Sequence, residues 1–145
     1  MSDTRTAASA MTPTARLARV RMASVGAVFM LIIQFILGIL YNLYGTAPAS
    51  GKPVGMFSNG WLVVHEIMAV LLVVAGIGLV IRAMGTSSGL AKATTWTGLV
   101  AIILAIGAGI GFIRDGASGS SLGMSLAFAI ALACYFINVV RLPSE

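Results

Sequence analysis

The sequence predicts an all-α protein, a single bundle of four antiparallel helices that cross a lipid bilayer. Of the 145 residues, 59% are hydrophobic and only 9% are charged, whereas soluble domains carry roughly a quarter charged residues. The mean hydropathy is +1.02. Four apolar runs are each long enough to cross the hydrocarbon core, which takes about 20 helical residues, and stretches rich in Gly, Pro and Ser separate them.

Residues 1–20 are predicted to form a flexible cytoplasmic tail, because they are rich in Ser, Thr, Ala and Arg and show no sustained apolar periodicity. Residues 21–145 are predicted to form one transmembrane domain. Its first span is predicted at residues 22–44, ending at Tyr41 and Tyr44, since aromatic residues are enriched at membrane interfaces. The run is too long for the apolar core of a secretory signal, so we expect it to be an uncleaved helix.

The other three spans are predicted at residues 61–83, 94–113 and 121–140. Each begins or ends near an interfacial residue such as Trp61, Trp96 or Arg141. Small residues recur at four-residue spacing in the third and fourth spans, as in Gly107-xxx-Gly111. Because apolar burial does not drive association in lipid, such residues favour close helix packing. Cys134, the single cysteine, is interpreted as a small apolar side chain within the fourth span.

The placement of Lys and Arg predicts the orientation. Seven of the nine are assigned to one side of the membrane and two, Lys52 and Arg114, to the other. The side with more Lys and Arg is cytoplasmic by the positive-inside rule, so both termini are predicted in the cytoplasm. We expect a bacterial inner membrane. The basic residues lie singly at the ends of apolar runs, which excludes a nucleic-acid interface.

Polar residues within the spans converge near the outer ends of the helices. Such residues are costly in lipid and mark functional sites or buried partners. The predicted outer cluster consists of Asn42, His65, Glu66, Arg114 and Asp115.

Glu66 is the leading candidate of this cluster, because a carboxylate about 7 Å below the interfacial Trp61 would be poorly hydrated. It must be paired, protonated or exposed to a water-filled cavity. One interpretation is an ion pair with Arg114 that joins two helices. A second is a site that accepts a proton or a cation, and a third is simple extension of the side chain towards the interface.

Three further polar residues have simpler interpretations. His65 is expected to be a hydrogen-bonded histidine near the interface. It is also the one candidate for binding a cofactor such as haem, although a second axial ligand such as Met68 or a second chain would be needed. Gln34 lies in mid-membrane and is expected to hydrogen-bond to a neighbouring helix. Asn138 is interpreted as an interfacial residue near the cytoplasmic end.

No motif for phosphate binding, nucleophilic catalysis or metal binding occurs in the chain. We therefore predict no catalytic residues, no metal, no resident cofactor and no enzymatic activity. The predicted partners are the lipid bilayer and either another protein or further copies of the chain.

Residues 34–38 read Gln-Phe-Ile-Leu-Gly, residues 41–44 read Tyr-Asn-Leu-Tyr, His65 opens the second span, and a Ser-Ser…Ala-Cys-Tyr run covers residues 120–135. With four short spans, these features resemble small uncharacterised four-helix integral membrane proteins of bacteria. The resemblance covers residues from about 25 to 140 and implies no particular activity.

Three functions are compatible with these features. The first is an accessory or assembly subunit of a larger membrane complex. The second is a small homo-oligomeric transporter or channel that uses Glu66 and His65. The third is a redox subunit that binds haem or a quinone.

Overall fold

The computed structural model describes residues 11–45, 48, 52–55, 57–116 and 118–144, with only the backbone of Asp115. Within this part of the chain there are four α-helices and no β-strand. Each helix is long and apolar enough to cross a membrane, which confirms the predicted all-α, four-span fold. The helices are α1 (Pro13–Tyr44), α2 (Gly60–Met84), α3 (Gly89–Asp115) and α4 (Ser118–Arg141).

The helices form a closed ring in chain order. Each packs against the helix before and after it, and α1 also packs against α4. Interhelical contacts run in opposite directions along α1 and α2, where Arg16 reaches Gly85 and Gln34 reaches His65. The same holds for α3 and α4, where Thr94 reaches Asn138 and Gly111 lies beside Ser120. The bundle is therefore antiparallel. Its two ends are called here the Arg16 end and the Tyr44 end.

Helix α1 starts earlier than predicted. Thr12 is its N-cap, with a side chain that accepts a hydrogen bond from the backbone N–H of Ala15, and Pro13 occupies the first turn. Both residues are favoured at helix starts, because a cap oxygen and a missing N–H each suit the unpaired first turn. The prediction of a flexible tail is thus wrong for residues 13–20, which form two turns of a packed helix. Residues 1–10 lie outside the described part.

Two arginines near the start of α1 bind the ends of other helices. The Arg16 side chain donates to the carbonyl of Gly85 just after α2 (3.0 Å), and Arg21 donates to the carbonyl of Val139 in the last turn of α4 (2.8 Å). Helix C-termini present unpaired carbonyls and partial negative charge, which a guanidinium complements. These arginines therefore join three helix ends as well as carrying charge.

The bundle interior is small and its outer surface is apolar. Residues from every helix are buried, including Leu31 (2% exposed), Leu79 (1%) and Ala131 (0%). Large apolar side chains on the outside remain exposed, such as Phe29 (63%) and Leu104 (62%). Because soluble proteins seldom leave so much apolar surface uncovered, this exterior is suited to contact with lipid.

A polar cluster is buried near the Arg16 end. Asn138 is fully buried, accepts a hydrogen bond from the Thr94 hydroxyl (2.6 Å) and donates to the Ser24 hydroxyl (3.2 Å). The interpretation of Asn138 as an interfacial residue is therefore wrong. Its amide connects α1, α3 and α4, and it can do so because each partner is a short hydroxyl side chain on a facing helix.

Small residues produce the closest packing, though not always those that the spacing indicated. Tyr135 of α4 is fully buried, and a Cβ atom added at Gly98 would lie 2.6 Å from its ring. Gly123 of α4 faces α3, since a Cβ atom added there would meet Ala108 at 3.7 Å. Gly107 is exposed, and a Cβ atom added there would meet nothing within 4 Å, so the prediction that it packs within the bundle is wrong.

Gly98→Ala should lower the free energy of unfolding by about 1–3 kcal/mol, because overpacking forces backbone or ring displacement. Gly107→Ala, in the same helix but with open space, should leave stability unchanged or slightly raised, since Ala is the better helix former. Reversible unfolding in mixed micelles of mild detergent and dodecyl sulfate would measure both. Equal effects of the two substitutions would contradict the close contact at Tyr135.

Candidate functional site

A cavity of about 320 Å³ lies within the bundle towards the Tyr44 end and is lined by all four helices. Along α1 its lining extends from Leu31 to Asn42, a rise of roughly 16 Å at 1.5 Å per residue. Most of its walls are apolar. The polar side chains that line it are Gln34, Tyr41, Asn42, His65, Glu66, Ser121 and Ser125.

Gln34 and His65 are hydrogen-bonded across the α1–α2 interface. The Gln34 Nε2 atom and the His65 Nε2 atom are 3.0 Å apart. An amide nitrogen can only donate, so the His65 Nε2 atom accepts and the ring proton is on Nδ1. Rotating the amide by 180° would exchange the donor and acceptor roles. This bond confirms that Gln34 pairs with a neighbouring helix.

Gly38 makes room for this pair. A Cβ atom at Gly38 would meet the His65 Cε1 atom at 3.4 Å, so the imidazole lies directly against the α1 backbone. Gly38 follows Gln34 by one helical turn and therefore shares its face. The Gln34-xxx-Gly38 spacing thus supplies a hydrogen-bond partner and a flat surface for one ring.

Three polar atoms of the cavity have no hydrogen-bond partner within the described residues, although all three are buried: Gln34 Oε1, His65 Nδ1 and Glu66 Oε1. A buried polar atom left unpaired costs roughly 1–3 kcal/mol, and more when it is charged. In native proteins most buried polar atoms are paired with protein groups, ordered water or a bound molecule, and here three that lack a protein partner lie around one cavity.

Glu66 does not pair with Arg114. The Arg114 side chain is exposed in the last turn of α3 and does not line the cavity, whereas Glu66 does. The predicted Glu66–Arg114 ion pair is therefore wrong, because Arg114 extends away from the bundle interior.

The predicted outer cluster is brought together only in part. His65 and Glu66 diverge by about 100° around α2, yet both border the cavity because it extends around that side of the helix. Asn42 borders it too. The side chain of Asp115 lies outside the described residues. Among the residues that are described, no group of three or more His, Cys, Asp or Glu side chains could hold a metal ion.

The phenylalanines of the cavity were not singled out from the sequence, in contrast to Tyr41, which also lines it. The rings of Phe35 in α1 and Phe128 in α4 are stacked with centroids 5.4 Å apart, and both line the cavity. Phe35 remains 54% exposed on the outside of the bundle. Lone phenylalanines in apolar runs give no sequence signal of pairing, because lipid-facing and interior positions have the same composition.

One connection between the first two helices reaches the rim of this cavity. The backbone N–H of Val54 donates to the carbonyl of Ile113 (2.9 Å), and Ile113 is a lining residue. Gly116 then ends α3 in the left-handed conformation, with φ of 64°, which glycine adopts without steric cost. The last turn of α3, at the rim of the cavity, is thus hydrogen-bonded to the α1–α2 connection and ends at Gly116.

Comparison with known proteins adds no relative: no family model, no curated protein and no solved structure matches this chain.

Gln34→Leu should remove the hydrogen bond to His65 and lower the free energy of unfolding by about 1 kcal/mol, the size of an interhelical hydrogen bond in lipid. His65 is the single histidine, so ¹⁵N-histidine labelling gives unambiguous ring signals. The signal of the acceptor ring nitrogen should move downfield in Gln34→Leu, because it loses the bond that shields it. Asn42→Leu, at an exposed amide of the same helix, should leave it in place; an unmoved signal in Gln34→Leu would contradict the pairing.

Proposed function

We propose that this protein is a non-enzymatic membrane protein that binds a lipophilic small molecule with a polar head group in the cavity. The observation that carries the proposal is the set of three buried, unpartnered atoms on Gln34, His65 and Glu66 within apolar walls. A ligand head that hydrogen-bonds to them removes the cost of leaving them unpaired, and its apolar part replaces empty space against the walls.

The dimensions of the cavity support this proposal. Pockets for small molecules occupy about 300–1,000 Å³, are mostly apolar and present few polar groups. The present cavity, of about 320 Å³, lies at the lower end of that range. It suits a ligand with one ring system or a short chain. Apart from Gln34, its polar side chains lie in the half nearer the Tyr44 end. The unpartnered atoms belong to α1 and α2, so these two helices bind the ligand head.

Access from the bilayer is proposed between α1 and α4. The Phe35–Phe128 stack lies on this side, and Phe35 borders both the cavity and the outer surface. Ring rotation there needs no backbone hydrogen bond to break. A lipophilic molecule already dissolved in the membrane would then enter laterally without crossing water.

Binding without catalysis is consistent with an accessory subunit that holds such a ligand for a larger membrane complex. Transport is a second candidate, and Glu66 favours it, because a carboxylate without a cationic partner can exchange a proton for a ligand. Binding of a quinone by a redox subunit is a special case of the proposed site, which the identity of the ligand would reveal.

Ala105→Phe should obstruct the cavity and reduce the amount of bound lipophile by about tenfold or more, because Ala105 lines it and the added ring takes up space that the ligand needs. Ala133→Phe, at an exposed position of α4, is the matched control. Organic extracts of both proteins and the native chain, purified in mild detergent, would be compared by mass spectrometry and absorbance. Equal amounts of the same compound in all three would contradict the proposal.

Both termini are proposed to lie in the cytoplasm of a bacterium, with the Tyr44 end outward. The support is the distribution of charge, since the helix ends at the Arg16 end carry Arg16, Arg19, Arg21, Arg82, Lys92 and Arg141. Basic residues flanking short loops stay on the cytoplasmic side.

This orientation predicts a labelling pattern in Cys134→Ser backgrounds. Ser58→Cys and Ser87→Cys place single thiols at exposed positions of opposite ends. A membrane-impermeant maleimide added to intact cells should label Ser58→Cys, and Ser87→Cys should react only after the membrane is opened. The reverse pattern would show that the orientation is inverted.

A further inference from the structure

We infer that the head group of the ligand is a protonated amine that pairs with Glu66, so that the cavity selects lipophilic cations. The inference rests on the proposed function, since it requires a ligand in the same cavity. It adds the charge and the hydrogen-bonding character of the head, and it assigns the main polar contact to one side chain.

The charge of the lining supports this choice. Glu66 is its one carboxylate, and no Lys or Arg is among the described lining residues. The cation that the sequence suggested as its partner, Arg114, is exposed and outside the cavity. An ionised carboxylate within apolar walls is expensive unless a cation accompanies it. A ligand ammonium supplies both the compensating charge and a charge-assisted hydrogen bond.

The hydrogen-bonding groups fit an ammonium as well. An ammonium offers three donors and no acceptor, and two of the three unpartnered atoms, Glu66 Oε1 and Gln34 Oε1, are oxygens. The third atom, His65 Nδ1, carries the ring proton and is a donor that an ammonium cannot pair with. A neutral alcohol would pair with it and with one oxygen, yet would leave the charge of Glu66 uncompensated, so charge rather than the number of hydrogen bonds favours the amine. A ligand carboxylate would be repelled by Glu66.

The walls provide a second attraction for a cation. Phe35, Phe112 and Phe128 line the cavity together with Tyr41. The negative face of an aromatic ring attracts a cation by about 0.5–2 kcal/mol, most strongly where water is excluded. The same rings contact the apolar part of the ligand.

No other group on the described lining can supply the negative charge. Tyr41 of α1 and His65 of α2 are the remaining titratable side chains there, and the lining residues of α3 and α4 include none. His65 is held by Gln34 and carries no negative charge in either protonation state. Selectivity for a cation should therefore depend mainly on Glu66, with the aromatic walls as the weaker contribution.

Three probes with one ring system separate charge from lipophilicity: 2-(1-naphthyl)ethylamine, 2-(1-naphthyl)ethanol and 1-naphthaleneacetic acid. Binding to the full chain in nanodiscs of zwitterionic lipid would be measured by naphthalene fluorescence, with empty nanodiscs subtracted. The amine should bind the native protein at least about tenfold more tightly than the alcohol, a difference of about 1.4 kcal/mol. The acid should bind more weakly than both.

Glu66→Gln should reduce the amine-to-alcohol ratio to about one while the alcohol still binds, which also shows that the variant is folded. Arg114→Gln is the matched control and should keep the native ratio. Equal binding of amine and alcohol to the native chain, or an unchanged ratio in Glu66→Gln, would overturn the cation inference and leave the proposed function standing. Failure of both probes to bind the native protein would overturn both proposals.

Discussion

The structure depends on one constraint: a polar group inside a bundle that is surrounded by lipid has no water to pair with and must find a partner on another helix. At the Arg16 end most polar groups meet this constraint, although the buried hydroxyl of Tyr135 has no hydrogen-bond partner among the described residues. The amide of Asn138 bonds hydroxyls of α1 and α3, and Arg21 bonds a carbonyl of α4. Each bond is modest in lipid, at about 0.6 kcal/mol on average. Together they specify which faces of the helices meet.

At the Tyr44 end the same constraint is left unmet at three atoms. Gln34 and His65 use one nitrogen each to join α1 to α2, and their remaining atoms border empty space together with Glu66. A protein that satisfies Asn138 fully at one end shows that its helices can bury polar groups in pairs. Unlike the single hydroxyl of Tyr135, the three open atoms at the other end lie together around one cavity, and this concentration supports the proposed ligand.

The sequence predicts the fold well because hydrocarbon thickness and helical rise determine how long each apolar run must be. It also predicts that Gln34 bonds across helices, since an amide in mid-membrane has no alternative. It does not predict rotation of the helices about their axes. In water, the apolar stripe of a helix marks its inner face; in lipid both faces are apolar. Two glycines of α3 illustrate this: Gly98 packs against Tyr135 inside the bundle, whereas Gly107 faces outward, and their residue type does not distinguish them.

The candidate site is predictable only in part, because the rotation of each helix about its axis is not predicted. His65 and Glu66 draw attention because any ionisable residue in a span does, whereas their roles depend on rotation and on distant partners. Charge alone favoured Arg114 as the partner of Glu66, but the last turn of α3 directs that guanidinium outward. The cavity walls, Phe35 and Phe128 among them, are indistinguishable by composition from lipid-facing residues.

The separation of roles between adjacent residues follows from this geometry. His65 is committed to Gln34 and so maintains the α1–α2 contact, while Glu66, one residue on, carries no such structural bond at Oε1. Changes at Glu66 should therefore alter what binds before they alter whether the bundle folds. Changes at Gln34 should do the reverse, because they remove a contact between helices and leave the charge of the cavity intact. A site in which support and recognition belong to different side chains can change its ligand without losing its scaffold.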